Sequence, residues 1–113
     1  MHELSLVMSI IEISEATARE HRAVSIRTIK VRLGEFTSVA REALAFSFEV
    51  ARRGTLAEHA TLEIEDVPLV VRCAACGSVA RPAGDICLLC LDCGLPLQVI
   101  SGEELQIEYI ELD

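Results

Sequence analysis

With 113 residues, 51% of them hydrophobic and only 4% aromatic, the chain suits one small domain plus an appendage and has enough apolar surface for a core. Its formal net charge of −8 argues against nucleic acid as the main partner, because phosphate binding needs a concentrated lysine and arginine surface. No apolar run reaches the ~20 residues of a membrane span and no secretory signal is found, so a cytoplasmic protein with no membrane partner is expected.

Residues 3–21 carry Leu4, Val7, Met8, Ile11 and Ala18 at helical spacing, with Glu12, Glu15, Arg19 and Glu20 elsewhere on the wheel. This predicts an amphipathic helix with His2 at its start. In VSIRTIKVRLGE (24–35), Val24 and Ile26 alternate with polar residues, and Ile29, Val31 and Leu33 resume out of phase. The slip at Arg27–Thr28 predicts a strand with a bulge. Residues 41–53 predict a second helix, with Leu44 and Phe48 in line and Phe46 and Val50 beside them. Arg52 and Arg53 fit its C-terminal dipole, and Gly54 stands where a cap belongs. TLEIEDVPLVVR (61–72) predicts one strand, with Leu62 and Ile64 inward and Pro68 near its exit. After the cysteine segment, ELQIEYIELD (104–113) predicts a last strand, its Leu105, Ile107, Ile110 and Leu112 alternating in two phases.

The expected fold is therefore α+β. A small mixed three-stranded sheet is covered by two helices, and a zinc-ribbon-like lobe is inserted before the last strand. A strand–helix–strand crossover is parallel and right-handed, and the last strand returns antiparallel. The expected domains are 1–70, completed by strand 104–113, and 71–103.

CAACG at 73–77 and CLDCG at 90–94 are two copies of Cys-x-x-Cys-Gly. The spacing lets both sulfurs of a turn reach one ion, and glycine permits a positive φ that aims backbone N–H groups at the thiolates. Cys73, Cys76, Cys90 and Cys93 are thus expected to form a closed structural Zn(II) site, with iron as the competing ion. Cys87 could pair with Cys90 instead, but Leu91 follows Cys90 where Gly94 follows Cys93. Cys87 is read as a small hydrophobe or a spare thiol. His21 and His59 have no ligand spacing and are read as surface residues.

The start, MHEL, admits a second metal. The terminal amine, the His2 amide nitrogen and His2 Nδ1 can chelate one ion in adjoining rings, and in-plane nitrogens suit Ni(II) or Cu(II). A solvated terminal histidine is the ordinary alternative. MHELSL at 1–6, VRLGEFTSVAREALAFSFEVARRGT at 31–55, the paired cysteine turns and LQIEYIEL at 105–112 together resemble the HypA family of hydrogenase nickel-incorporation proteins. The resemblance implies a transient Ni(II) site at Met1, His2 and Glu3, with the initiating methionine retained, and zinc on Cys73, Cys76, Cys90 and Cys93. It implies a nickel metallochaperone for [NiFe] hydrogenase maturation, with the nickel-handling GTPase HypB and the hydrogenase large subunit as partners; some members also serve urease. Leu91, where the family has proline, and Cys87 depart from the pattern. The chain has no P-loop motif, so no catalysis is expected and nucleotide hydrolysis falls to the partner. A monomer or weak homodimer is expected. The other class of function is a zinc-ribbon interaction module with no transferable metal.

Overall fold

The computed structural model describes residues 2–80, 89–90 and 93–113. In chain order the elements are α1 (His2–Glu20), β1 (Ile26–Gly34), α2 (Arg41–Ala51), β2 (Thr61–Val67), β3 (Val70–Cys73), β4 (Val79–Ala80), β5 (Leu97–Ser101) and β6 (Leu105–Leu112). They divide between two units. The first holds residues 1–32, 38–65 and 106–113, and the second holds 33–37 and 66–105.

In the first unit α1 buries Val7, Ile10, Ile11, Ser14 and Ala18. Met8, expected inward, is exposed, and the inward stripe is rotated toward Ile10 and Ser14. A serine is tolerated there because its hydroxyl donates to the Ile10 carbonyl at 2.7 Å. The helix stops in a turn with Arg22 at φ 56°, where Ala23 N–H reaches back to Ala18 C=O and Arg22 N–H to Arg19 C=O. This is the pattern of a Schellman stop, with arginine at the position glycine usually takes. α2 ends at Ala51, two residues sooner than expected, and buries Leu44, Ser47 and Phe48. The Arg52 guanidinium then ties the helix end down, donating to Ala60 C=O and to Glu49, while lying over the Phe48 ring.

The main sheet has the order β2-β1-β6 and is mixed. Backbone bonds link Ile26 to Leu56 and Glu35 to Val67, which runs β1 parallel to β2. Asp113 bonds Val24 and Ser25 at one end of β1, and Glu104 bonds Gly34 at the other, which runs β6 antiparallel. Both strands alternate in two phases, but Val24, expected in the first phase of β1, lies before the strand and is exposed, and the slip falls at Thr28–Ile29 rather than Arg27–Thr28. Thr28 and Ile29 are consecutive buried residues in β1, and Glu108 and Tyr109 are consecutive exposed ones in β6. Ile26, Ile29 and Val31 lie on the sheet's buried face. The other face is charged, with basic residues on the central strand between acidic neighbours. Lys30 sits 3.2 Å from Glu65 and 3.7 Å from Glu108, and Arg27 pairs with Glu111 and Asp113. The hydrogen bond to Glu65 leads the causes that raise the Lys30 pKa above its ordinary value.

One expectation is corrected. Residues 61–72 are two strands in two different sheets, not one strand: β2 ends at Val67 and β3 starts at Val70. Pro68 has no N–H to continue a ladder. Its carbonyl accepts the Ser101 hydroxyl at 2.9 Å, and the following Leu69 N–H is taken by the Glu35 carboxylate at 2.7 Å. Glu35 grips both sides of the proline, since its own N–H donates to Val67 C=O at 2.8 Å. Glu35→Ala leaves the N–H of buried Leu69 without its acceptor. A loss of about 1–3 kcal/mol is expected in urea unfolding of the zinc-loaded protein. An unchanged midpoint would show that the junction does not depend on this carboxylate.

The second unit carries a small antiparallel sheet of order β4-β3-β5. Arg72 pairs with Val79 and Gln98, Cys73 pairs with Leu97, and a bulge falls between Val70 and Val71. Its described buried side chains are few: Val67, Leu69, Val71, Cys73 and Cys90, with Leu33 from the 33–37 segment.

Candidate metal centre

β3 delivers Cys73 to the start of a tight turn. Cys73 C=O accepts the Gly77 N–H at 2.8 Å, and Cys73 N–H donates to Ser78 C=O at 2.9 Å. The second turn repeats both bonds at the same offsets: Gly94 N–H to Cys90 C=O and Cys90 N–H to Leu95 C=O, each at 2.8 Å. Gly77 and Gly94 have φ of 76° and 72°, a left-handed conformation that favours glycine. The internal repeat in the sequence is therefore a repeat of hydrogen bonding.

The two turns face each other. All four sulfurs lie within 4.8 Å of one another. Cys73 Sγ is 3.3 Å from Cys93 Sγ, and Cys76 Sγ is 3.7 Å from Cys90 Sγ, so each close pair joins one turn to the other. A tetrahedron with metal–sulfur bonds of ~2.3 Å has sulfur–sulfur edges of about 3.8 Å. A disulfide would need about 2.05 Å. The donor set thus fits a four-thiolate ion such as zinc, and no pair is a disulfide. In each turn the first cysteine is buried and the second exposed. Among the described residues this is the one group of three or more such side chains that could hold an ion.

The thiols do not share one acidity. Cys73 is lowered to about 6, first by the Cys76 N–H and then by the Cys93 sulfur, with Ala75 N–H and Cys76 Sγ adding to this against some desolvation. Cys93 is raised to about 12. The Leu95 N–H favours its thiolate, but the Cys73 sulfur, burial and the sulfurs of Cys90 and Cys76 together outweigh it. Four thiolates in this space repel one another, and a divalent cation among them removes the conflict by deprotonating its ligands outright. One contributor was missed in the sequence: the Ser78 hydroxyl lies 3.2 Å from Cys76 Sγ and can donate to it as a thiolate. Its only signal was a hydroxyl two residues beyond a cysteine, which is common in turns.

The other expected site residues are placed as follows. His2 opens α1 and Glu3 lies in its first turn. Met1, the His2 side chain, Cys87 and Leu91 lie outside the described residues. His21 is exposed and its Nδ1 is 3.0 Å from Thr17 C=O. His59 is exposed beside Glu58 at 3.6 Å. Neither belongs to the cysteine group.

Comparison with known proteins places this arrangement. The model of the HypA family, described as hydrogenase/urease nickel incorporation metallochaperone, matches residues 1–112. The hydrogenase maturation factor HypA of Roseiflexus sp. (strain RS-1) is 37% identical over 114 residues, covering 100% of this chain and 93% of the relative. That of Acidithiobacillus ferrooxidans (strain ATCC 53993) is 40% identical over 114 residues, covering 100% of both chains. The fold is similar to the solution structure of the Ni metallochaperone HypA from Helicobacter pylori, with TM-score 0.70 and 26% identity over 97% of this chain and 96% of that one. A second solution structure, of a HypA protein, gives TM-score 0.76 and 26% identity over 100% and 97%.

Proposed function

Since the chain belongs to the HypA family of hydrogenase/urease nickel-incorporation metallochaperones, we propose that it binds Ni(II) at Met1, His2 and Glu3 and delivers it during [NiFe] hydrogenase maturation. The observation that carries this is the family match over residues 1–112, which includes the Met-His-Glu start and both cysteine turns. The local structure supports it. α1 begins at His2, so the amide nitrogens of His2 and Glu3 are among the first of the helix and have no intrahelical acceptor. They are free to serve as donors beside the terminal amine and the imidazole. Cys73, Cys76, Cys90 and Cys93 would hold zinc, which stabilises the second unit and, with all four positions taken by thiolates, does no chemistry. Nickel would be cargo and zinc resident. The GTPase HypB and the hydrogenase large subunit are the proposed partners, and the protein itself is proposed to be non-catalytic. Among the described residues no helix is long and apolar enough to cross a membrane. The proposed location is the cytoplasm, where a reducing environment keeps cysteines as thiols.

Nickel titration of untagged, zinc-loaded protein tests this reading. One Ni(II) per chain is expected, lost in His2→Ala and in protein with a short N-terminal tag still attached, while zinc content and the far-UV spectrum stay unchanged. The tag replaces a basic amine with an amide, a much weaker donor. Binding weakens as pH falls, because protons compete for imidazole (reference pKa ~6.5) and terminal amine (~7.7–8.0). Diamagnetic nickel would report in-plane nitrogen donors, and paramagnetic nickel a six-coordinate ion with water or carboxylate. Unchanged affinity in both altered proteins would leave an interaction module with no transferable metal as the better reading.

A further inference from the structure

The four cysteines of the metal centre alternate in exposure. Cys73 and Cys90 are buried, and Cys76 and Cys93 are exposed. Each exposed sulfur has a buried one close by on the opposite turn. Cys93 Sγ lies 3.3 Å from Cys73 Sγ, and Cys76 Sγ lies 3.7 Å from Cys90 Sγ. A solute arriving from water therefore reaches one sulfur of each pair first, and the second stands behind it. That is the layout of an attacking thiol and its resolving thiol. A bound zinc ion keeps all four as thiolates, the nucleophilic form, so exposure rather than acidity separates them. Both exposed sulfurs accept a local donor, Cys76 the Ser78 hydroxyl at 3.2 Å and Cys93 the Leu95 N–H. The distance to the resolving sulfur then distinguishes the two, and it favours Cys93.

We propose, on the reading that zinc occupies this centre, that Cys93 is a site of reversible oxidation by hydroperoxides, resolved by Cys73 across the two turns. The Cys93 thiolate attacks the O–O bond of the hydroperoxide. An S–O bond forms, the O–O bond breaks, and the departing oxygen takes a proton from water. Cys93 is then a sulfenic acid. The Cys73 thiolate attacks its sulfur, an S–S bond forms and hydroxide leaves. Two thiolates have lost two electrons and the peroxide has gained them. The sulfurs must close from 3.3 Å to about 2.05 Å. Two of the four thiolates are consumed, so the remaining pair no longer closes a tetrahedral site and the zinc is released. The new bond joins the same two turns that the zinc joined, which keeps them together for reloading. A dithiol reductant reverses the step by thiol–disulfide exchange. All five cysteines fall outside the first unit, so oxidation acts on the second unit alone and spares the Met-His-Glu start.

Hydrogen peroxide added to untagged, zinc-loaded, full-length protein tests this, with released zinc followed by a metallochromic dye. About one equivalent of peroxide is expected to release the zinc and to remove about two thiols per chain, while the dye alone releases none. Free thiols are then alkylated and the chain is cut before each aspartate, which separates residues 66–84, 85–91 and 92–112. Fragment 66–84 is expected joined to 92–112, with the alkyl label on Cys76, Cys87 and Cys90. Dithiothreitol and added zinc restore the metal content, and the helical far-UV signal is retained throughout. The proposal is overturned by zinc-loaded protein that keeps its metal in excess peroxide. It is overturned equally by a bond within one turn, by a bond to Cys87, or by oxidation that dithiothreitol does not reverse. Protein that holds no zinc before peroxide is added overturns the zinc reading itself, and this inference with it.

Discussion

Cys90→Ser is expected to lose the zinc and unfold the second unit, with the helical far-UV signal retained. Cys90 is buried and its sulfur is 3.7 Å from that of Cys76, so serine removes a thiolate from the interior of the cluster and leaves a hydroxyl that is a poor soft-metal ligand. The second unit has little else to hold it. Its described buried apolar residues are mainly Val67, Leu69 and Val71 around the two inner cysteines, a core smaller than an independent domain needs. Structural zinc contributes roughly 10–16 kcal/mol in small modules, comparable with the ~5–15 kcal/mol of a whole domain. Elemental analysis should fall from one zinc per chain to nearly none, and amide resonances of residues 66–105 should collapse toward random-coil shifts. Cys87→Ser is the control and should keep its zinc. If it loses zinc as fully as Cys90→Ser, the ligand set is wrong.

Gly102→Ala is expected to lower the stability of the zinc-loaded protein by about 4 kcal/mol, combining overpacking with a left-handed backbone. Gly102 has φ 99°, and a Cβ built there would lie 2.6 Å from Leu69 Cα and 3.0 Å from Pro68 C=O. Neither neighbour is free to retreat. Leu69 N–H is held by Glu35, Pro68 C=O by Ser101, and Gly102 itself bonds Phe36 N–H at 2.6 Å. Gly54 separates the two causes: its φ is 75° but a Cβ there meets nothing within 4 Å. Gly54→Ala should therefore cost only the backbone part, about 1 kcal/mol. Calorimetry that found equal losses in the two variants would show that the close approach at Leu69 is not the determinant.

The helices were legible because their apolar spacing repeats over several turns, yet the inward direction was not fully so. Met8 and Ile10 lie to either side of the Val7–Ile11 line, and hydropathy alone does not say which side meets the sheet. Ser14 could enter the core only because its hydroxyl bonds within its own helix. Both phase slips, in β1 and β6, were readable because the alternation is clean on each side of the slip. The division of 61–72 was hidden: Val67, Leu69, Val70 and Val71 form a nearly unbroken apolar run around Pro68, and the partners that end β2 and start β3 are Glu35 and Ser101, more than thirty positions away. β4 and β5 are too short to show a period of their own. The cysteine tetrad was the most legible part, since ligand type, spacing and following glycine recur together. Ser78 was not, because a hydroxyl near a thiolate leaves no periodic trace. The nickel end rested on resemblance, and Met1 and the His2 side chain lie outside the described residues.

The placement of β6 against β1 has a consequence for biosynthesis. β1 is complete at Gly34, but the strand that covers one of its edges ends at Leu112, roughly 80 residues later. At ~5–20 residues per second the ribosome takes about 4–16 s to cover that distance. Over that interval β2 can shield one edge, while the other shows unpaired N–H and C=O groups beside Ile29 and Val31, a template for pairing with the wrong chain. Closure across so long a sequence separation is also slow in itself. The sheet is thus sealed late, after the cysteine segment has been made.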